Sequence, residues 1–424
     1  MSVELVLLLG SFALLVLIDA PIAVALGLAS ALYLAVADMA PLMVVAQRMI
    51  AGIDSFTLLA IPLFLMAGLL MVHGGLAPRI VNLFAAIVGR TTGGLAIVMV
   101  AACMMFGSLS GSGVADVVAI GTMMLPSMKA RGYDPAFSSA LLGCAGSLGT
   151  VIPPSIVLIV YGTATNSSIG DLFVGAIIPG LLLGAALVAV AWWISRKHGW
   201  KGTEAVRAGV LGRAFLDAVP AMIAPIIIVG GIRAGIFTPT EAAGAGVAYA
   251  LLVGGLFYRT LSWRVIGDIL RETTEMTGAI LIVIAAASVF GWILAAEQVP
   301  QLAVNGIRGL TDSPLVALVL MMGAVLLLGT FMESLAIILI LAPVFLPVLA
   351  AYQIDPVYFG ILLCVNLAIG ANTPPLGIDL MAACRTAGIP MSASFRYLLP
   401  FLGAMVAVLF LLVLFPQIVT VAIG

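Results

Sequence analysis

Two clusters of small polar residues could bind ions or a small polar ligand. The first is the run GSLSGSG at 107–113, and the double proline Pro153-Pro154 follows it. The second is GTFMES at 329–334, followed by Pro374-Pro375. Because proline has no N–H, each double proline leaves carbonyl oxygens of the preceding turn without a helical partner. Neutral hydroxyl and carbonyl oxygens suit sodium better than a divalent ion, which would require several carboxylates.

These clusters belong to a duplicated unit. Three proline dipeptides recur at one ungapped offset of 221 residues: Leu125-Pro126 with Leu346-Pro347, Asp134-Pro135 with Asp355-Pro356, and Pro153-Pro154 with Pro374-Pro375. Gly149 and Pro179 recur at the same offset as Gly370 and Pro400. A single offset that preserves so many turn residues indicates an internal repeat rather than coincidence.

The composition indicates whether the chain folds in water or in a membrane. Of 424 residues, 63% are hydrophobic and 8% are charged, and the mean hydropathy is +1.29. Soluble domains carry about 25% charged residues, so the composition predicts an integral membrane protein. At about 20 residues per spanning helix, there is room for about ten to twelve embedded segments. A net charge of −1 gives no basic patch for nucleic acid.

The polar clusters predict re-entrant hairpins. In each case two apolar runs, too short for a full crossing, flank the cluster, and irregular backbone at that depth is tolerated only inside protein or beside a water-filled cavity. We therefore expect an all-α polytopic membrane protein with two repeats. The predicted parts are a first repeat at 1–194 with hairpin 94–128 and broken helix 136–164, a linker at 195–213, and a second repeat at 214–424 with hairpin 315–349 and broken helix 357–384.

Positive charge predicts the orientation of the repeats. The linker carries five basic residues, Arg196, Lys197, Lys201, Arg207 and Arg213. Short cytoplasmic loops hold the Lys/Arg excess, so the linker is expected in the cytoplasm. The ends of the first hairpin lie near four more, Arg79, Arg90, Lys129 and Arg131, whereas the second hairpin has only Arg308 nearby. The two hairpins should therefore enter from opposite sides, as in the inverted repeats of secondary transporters.

Three acidic residues fall within the predicted membrane zone and are functional candidates by default. Glu333 lies at a hairpin tip, where it could contact substrate or form a gate. For Asp116 and Asp379 a structural partner and a transport role remain equally open. An intramembrane serine hydrolase using Ser110 or Ser112 is disfavoured, because neither His73 nor His198 is placed to act as a base. The four cysteines are expected to be buried thiols.

The motifs resemble a known family. The runs GSLSGSGVADVVAIGTMMLP, GTFMESLAIILILAPVFLPV and NLAIGANTPPLGIDLM are similar to the large membrane subunit of tripartite ATP-independent periplasmic (TRAP) transporters. The resemblance covers essentially the whole chain. It implies an elevator-type, sodium-coupled importer of the ion transporter superfamily, in the bacterial inner membrane. Family substrates are small organic acids such as C4-dicarboxylates, sugar acids and sialic acid.

The same resemblance implies site residues and partners. Two sodium sites would lie at Ser108, Ser110, Gly146, Gly149 and Pro153 and at Gly329, Thr330, Gly370 and Thr373. Substrate would bind between the tips, near Ser112, Met332, Glu333 and Asn372. The expected partners are the lipid bilayer, a periplasmic DctP-like binding protein and a DctQ-like small membrane subunit, which should be a separate chain. The alternative is a stand-alone ion-coupled carrier of the same architecture, working without partner proteins.

Overall fold

The computed structural model describes residues 3–89, 91–200, 202 and 208–423, and all regular elements in these ranges are helical. Seven of the described helices are long and apolar enough to cross a membrane. Together with the shorter apolar helices they make the chain an all-α polytopic membrane protein, as the composition predicts.

Five helices precede the first hairpin. They are α1 Val3–Leu17, α2 Ile22–Ala37, α3 Met43–Ile53, α4 Ala60–His73 and α5 Leu76–Val88, with a 3-10 turn at Phe56–Leu59 leading into α4. The hairpin follows as α6 Gly94–Ser110 and α7 Gly113–Ala130. The broken helix consists of α8 Pro135–Gly146, a 3-10 turn Ser147–Thr150 and α9 Ile156–Thr165. The first half ends with α10 Ile169–His198.

The second half repeats this plan. Its leading helices are α11 Ala208–Arg233, α12 Pro239–Leu252 with a π turn Val253–Phe257, α13 Trp263–Ala296 and α14 Val299–Arg308. The hairpin is α15 Pro314–Gly329 and α16 Ser334–Ala351, and the broken helix is α17 Pro356–Gly370 and α18 Ile378–Ala387. A 3-10 turn Met391–Ser394, α19 Phe395–Leu414 and α20 Gln417–Thr420 end the chain.

The two Asp-Pro dipeptides start equivalent helices. Asp134 precedes α8 and accepts a hydrogen bond from the backbone N–H of Ala136 at 2.9 Å. Asp355 precedes α17 and accepts one from the N–H of Tyr358 at 2.7 Å. Aspartate satisfies the free N–H groups of a first turn, and proline at the first helical position has no N–H to satisfy. The repeated dipeptide therefore sets where each broken helix begins.

Contacts with α19 show that the two broken helices run in opposite directions. At the start of α8, Asp134 accepts hydrogen bonds from Arg396 and Tyr397, which lie at the start of α19. At the start of α17, the hydroxyl of Tyr358 donates to the carbonyl of Leu412 at 3.0 Å, near the end of α19. Since one helix begins beside the start of α19 and the other beside its end, the two units are inverted.

Two predicted boundaries need correction. The predicted linker is helical at both ends, because α10 continues to His198 and α11 begins at Ala208, while 201 and 203–207 lie outside the described residues. Basic residues are favourable in the last turn of a helix, so the first basic residues of the linker extend α10 instead of ending it.

Side chains pack into two hydrophobic clusters. The larger one takes its buried residues from α4–α13 and α15–α20. The smaller one consists of α1, α2 and the second half of α13 together with Val344 of α16, and Leu8, Tyr33 and Phe290 are fully or almost fully buried in it. The hairpins and broken helices thus share one core, α2 packs on α13, and α1 packs mainly on α2.

The inverted orientation predicts opposite labelling of two engineered cysteines. Lys129, at the base of the first hairpin, and Asp312, before the second hairpin, are both exposed, and the four native cysteines are buried. In intact spheroplasts a membrane-impermeant maleimide should label Asp312→Cys and not Lys129→Cys, whereas in inside-out vesicles the pattern should reverse. Labelling of both variants from one side would contradict the predicted topology. Arg90, Lys201 and Arg207 lie outside the described residues, so their part in the orientation stays a prediction.

Candidate ion and substrate site

The first hairpin tip contacts the break in its own repeat. The tip turns at Gly111, which has a φ of 63° that glycine adopts without strain. Its carbonyl accepts a hydrogen bond from the N–H of Ile156, just beyond the double proline, at 3.4 Å. Gly107 and Gly149 meet directly, because a Cβ on Gly107 would lie 2.6 Å from the Cα of Gly149. The tip and the break therefore cover each other's irregular backbone.

The second repeat has the same junction. A Cβ on Gly370 would lie 2.9 Å from the Cα of Gly329, so here too glycine permits the backbones to touch. The N–H of Leu376, after the second double proline, donates to the carbonyl of Thr330 in the tip at 3.1 Å. The repeat found in the sequence is thus a repeat of tertiary contacts between tip and break.

The residues expected to bind sodium lie at these two junctions. In the first, the hydroxyl of Ser108 donates to the carbonyl of Met105 at 2.6 Å and that of Ser110 donates to the carboxyl of Asp116. In the second, the hydroxyls of Thr330 and Thr373 donate to backbone carbonyls, both at 2.8 Å. A hydroxyl that donates its proton keeps its oxygen lone pairs for a cation.

The glycines and the proline of the first predicted site occupy the same junction. A Cβ on Gly146 would lie 3.2 Å from the carbonyl oxygen of Gly113 in the first turn of α7, and one on Gly149 would overlap the carboxyl of Asp116. Pro153 and Ser108 also line a separate apolar cavity of about 600 Å³ that reaches α11. The structure brings the predicted residues of each site together, and whether they ligate sodium stays a prediction.

A central cavity of about 270 Å³ lies between the two tips and the two breaks. Pockets for drug-sized ligands measure about 300–1,000 Å³, so this one suits a small molecule. Both tips and both breaks contribute polar side chains or backbone groups to the wall. The residues that supply them are Gly111, Ser112, Gly113, Thr150, Glu333, Ser334, Ala371 and Asp379. One side of the wall is apolar and comes from α13 through Met276, Ala279 and Ile280.

Four helices begin at this cavity. Their first residues, Gly113 of α7, Ile156 of α9, Ser334 of α16 and Ile378 of α18, all line it. Each helix N-terminus carries a partial positive charge of about half an elementary charge and free N–H groups. Three of the four, α7, α16 and α18, have no side-chain cap, so these N–H groups are not satisfied by a capping side chain. This arrangement favours an anion in the cavity.

The charged side chains of the cavity are both acidic. Glu333 and Asp379 line it, and no Lys, Arg or His is among the described lining residues. Asp379 is buried, and its Oδ2 has no hydrogen-bond partner among the described groups. A Cβ on Gly113 would lie 2.7 Å from that oxygen, so the second break reaches across to the first tip. An anion here would lie among helix N-termini with two carboxyl groups close by.

The residues expected near substrate divide into two groups. Ser112 and Glu333 line the cavity from opposite tips. Met332 packs against the core, and Asn372 is fully buried outside the lining, where its amide donates to the carbonyl of Ala368 at 3.0 Å. The Oδ1 of Asn372 would lie 2.7 Å from a Cβ on Gly143 of α8. Asn372 therefore contacts the first repeat instead of the cavity, and the substrate role of these four residues stays a prediction.

Several lining residues carry no signal in the sequence. Met276, Ala279 and Ile280 belong to a long apolar helix, and their position at the cavity follows only from the packing of α13. Ser334 belongs to the second polar cluster and Thr150 lies three residues before the first double proline, so the sequence already marked both as candidates. Asp379 was found only as an acidic residue in the membrane zone.

Comparison with known proteins agrees with this architecture. The family model described as "Tripartite ATP-independent periplasmic transporter, DctM component" matches residues 9–418. The sialic acid TRAP transporter large permease protein SiaM of Vibrio cholerae is 40% identical over 88% of this chain and 87% of its own. The isethionate TRAP transporter permease protein DctMQ of Oleidesulfovibrio alaskensis is 40% identical over 97% of this chain, which spans 65% of that longer relative.

Solved structures of membrane transporters are similar in fold. The crystal structure of the YdaH transporter of Alcanivorax borkumensis matches with a TM-score of 0.62 and 17% sequence identity, over 88% of each chain. At this identity the likeness bears on the fold alone.

The inverted hairpin repeats, the paired junctions and the central cavity define a secondary-transporter type of membrane protein. The match over nearly the whole chain makes the assignment specific: this chain belongs to the TRAP transporter family, as its large permease or DctM component. It is a transport protein of the bacterial inner membrane. The resemblance seen in the motifs is therefore confirmed, and the hydrolase alternative is set aside.

Adding a methyl group at either glycine junction should disrupt the site. In Gly149→Ala and Gly370→Ala the new Cβ meets a carboxyl or backbone atoms, and overpacking of this kind costs about 1–3 kcal/mol. We expect uptake to fall by roughly tenfold or more, since 1.4 kcal/mol corresponds to a factor of ten. The measurement is the initial rate of uptake in proteoliposomes. The matched control is Gly244→Ala, whose Cβ has no atom within 4 Å, and equal rates for all three variants would contradict the prediction.

Proposed function

We propose that this chain is the transport subunit for sodium-coupled import of small organic acids. The observation that carries the proposal is the cavity where four helix N-termini converge. Helix N-termini bind anions, and a cavity of this volume suits a small one. The relatives named above are described as transporters of sialic acid and isethionate. By analogy we assign this chain a small organic anion.

Sodium is the coupling ion that the two junctions favour. Among the described residues no three His, Cys, Asp or Glu side chains cluster to hold a metal. The oxygens at the junctions are mostly hydroxyl and backbone oxygens, which suit a monovalent hard cation. The proposed ligand sets are the nine residues implied by the resemblance, five at the first junction and four at the second. Each set lies beside the wall of the central cavity, so a bound cation would attract the anion.

The energy of two sodium ions is sufficient for uptake without ATP. A tenfold gradient contributes about 1.4 kcal/mol per ion, and a potential of roughly 100 mV adds about 2.3 kcal/mol per charge. Two ions entering together could concentrate an anion by several orders of magnitude. The sequence accordingly needs no phosphate-binding loop, and the motif GxxxxGK[ST] does not occur in it.

The proposed transport motion is of the elevator type. The hairpins and broken helices share one hydrophobic core, to which α13 contributes Ile269 and Ile284, whereas α1, α2 and the second half of α13 form most of a second core. The wall of the cavity formed by Met276, Ala279 and Ile280 comes from α13. Movement of the hairpins and broken helices along α13 would carry the cavity from one side of the membrane to the other. A separate small membrane subunit and a periplasmic binding protein are the proposed partners.

Uptake in proteoliposomes tests this function. The vesicles hold this chain with its small membrane subunit, and radiolabelled organic acids are supplied with the cognate binding protein. We expect uptake only with both the binding protein and an inward sodium gradient, because sodium supplies the energy and the binding protein delivers the anion. The control replaces sodium by potassium at equal ionic strength. Sodium-driven uptake without the binding protein would favour the stand-alone carrier, and uptake independent of sodium would contradict the coupling.

A further inference from the structure

A further cavity, of about 600 Å³, lies apart from the central one. Its wall comes from α6, α10 and the first break on one side and from α5 and α11 on the other. Among the described residues that line it, Ser108 alone has a polar side chain, and its hydroxyl already donates to the carbonyl of Met105. Apolar cavities stay free of water and bind apolar ligands. The described wall therefore suits a hydrocarbon better than a charged or polar ligand.

This cavity is a gap between α11 and the unit formed by α6, α10 and the first break. Within that unit the packing is tight, because a Cβ on Gly180 of α10 would lie 2.6 Å from the side chain of Ile152 in the break. On the opposite wall, a Cβ on Gly230 of α11 would meet no atom outside its own helix backbone closer than a side-chain carbon of Ile226, at 4.0 Å. The space therefore lies in front of Gly230, where α11 stands off from the unit.

The cavity opens towards the lipid. Leu181 of α10 and Ile226 of α11 line it, and their exposed fractions are 54% and 67%, on two helices that are long and apolar enough to span the membrane. Of the seven described spans α11 is also the least buried, with 28% of its most apolar stretch buried against 44–50% for the others. Side chains exposed on a spanning helix face acyl chains. The hydrocarbon of the bilayer is therefore continuous with the mouth of the cavity.

The inner end of the cavity lies at the depth of the first junction. Ser108 lies two residues before the end of α6 at the hairpin tip, and Pro153 is the first proline of the break. Half-length helices meet at this level, which places it near the middle of a hydrocarbon core about 30 Å thick. Lipid head groups do not reach this depth, whereas the terminal part of an acyl chain does. A gap left empty here would lose the dispersion contacts of both walls.

We propose that this cavity binds the terminal part of a phospholipid acyl chain. The chain enters past Leu181 and Ile226 and contacts Met104 and Met105 of α6, while its head group stays at the membrane surface. Flexible methionine side chains adapt to a ligand of variable shape. Binding of the chain does not depend on the proposed function. Its effect on transport does, because a chain that lies between α11 and the unit with hairpin and break must leave or rearrange when the proposed motion displaces that unit.

Photo-cross-linking in proteoliposomes tests the site. This chain with its small membrane subunit is reconstituted with a phosphatidylethanolamine that carries a diazirine at the end of one acyl chain, and labelled residues are mapped by mass spectrometry. We expect label on Met104 or Met105. This label should fall about tenfold in Gly230→Phe, because the ring displaces about two methylene groups of the chain from the wall. Gly212→Phe is the matched control on the same helix and should be labelled like the wild type, since a Cβ there has no atom within 4 Å and Gly212 does not line the cavity.

Leu216 gives the reference level of contact with bulk lipid, because it is exposed on α11 and does not line the cavity. Label on Leu216 without label on Met104 or Met105 would overturn the inference. Label on the two methionines that appears only when the small subunit is left out would also overturn it, since that subunit would then cover the mouth. Gly230→Leu serves as a second variant if the phenylalanine does not fold.

Uptake by the labelled vesicles tests the effect on transport. Illumination should lower the initial rate of uptake in proportion to the fraction of protein labelled at Met104 or Met105, because a covalently held chain cannot leave the gap. Illuminated Gly230→Phe vesicles should keep the rate that they had before illumination. An unchanged rate in labelled wild type would contradict the effect on movement, whereas wild type that shows no uptake before illumination would contradict the proposed function and leave the lipid site intact.

Discussion

The contact between a hairpin tip and the break of its own repeat is the constraint on which the structure depends. Interrupted helices leave backbone groups that lipid cannot satisfy, so such segments persist at membrane depth only when protein covers them. Here the tip and the break cover each other, and Gly107 with Gly149 and Gly329 with Gly370 let the backbones touch. A side chain at any of these glycines would separate the two segments. The close contact between tip and break also places polar oxygens together at each of the two junctions, within an otherwise apolar protein.

Because the repeats are inverted, both contacts between tip and break lie beside the same central cavity. Since α8 and α17 run in opposite directions, the two tips approach each other from opposite sides. Four helix N-termini then meet at the central cavity, and their partial charges are positive. The carboxyl groups of Glu333 and Asp379 lie on the same wall. On the proposed function, an anion bound between the N-termini is repelled by these carboxyl groups unless cations are present, which links the binding of the two ions.

The two repeats have similar backbone geometry but differ in their buried acidic residues. Asp134 and Asp355 cap equivalent helices, and both double prolines follow equivalent junctions. Asp116 is matched by Ile337, and Asp379 by Leu158 at the same offset. Both unmatched acids contact the first tip, Asp116 through Ser110 and Asp379 near Gly113. Inverted repeats of one backbone can therefore carry two sites of different electrostatic character.

The sequence alone determined that the chain lies in a membrane, that it contains two repeats, and which residues form the junctions. Apolar composition required a membrane protein, and proline and glycine limit the backbone wherever they occur, so the breaks and tips could be placed within a few residues. The tertiary structure decided which side chains share the cavity. It placed Met276 on the wall, buried Asn372 against α8, and joined Asp116 to Ser110 and Gly149. The reason is that buried membrane helices are apolar on every face, so periodicity does not tell which face meets a distant segment.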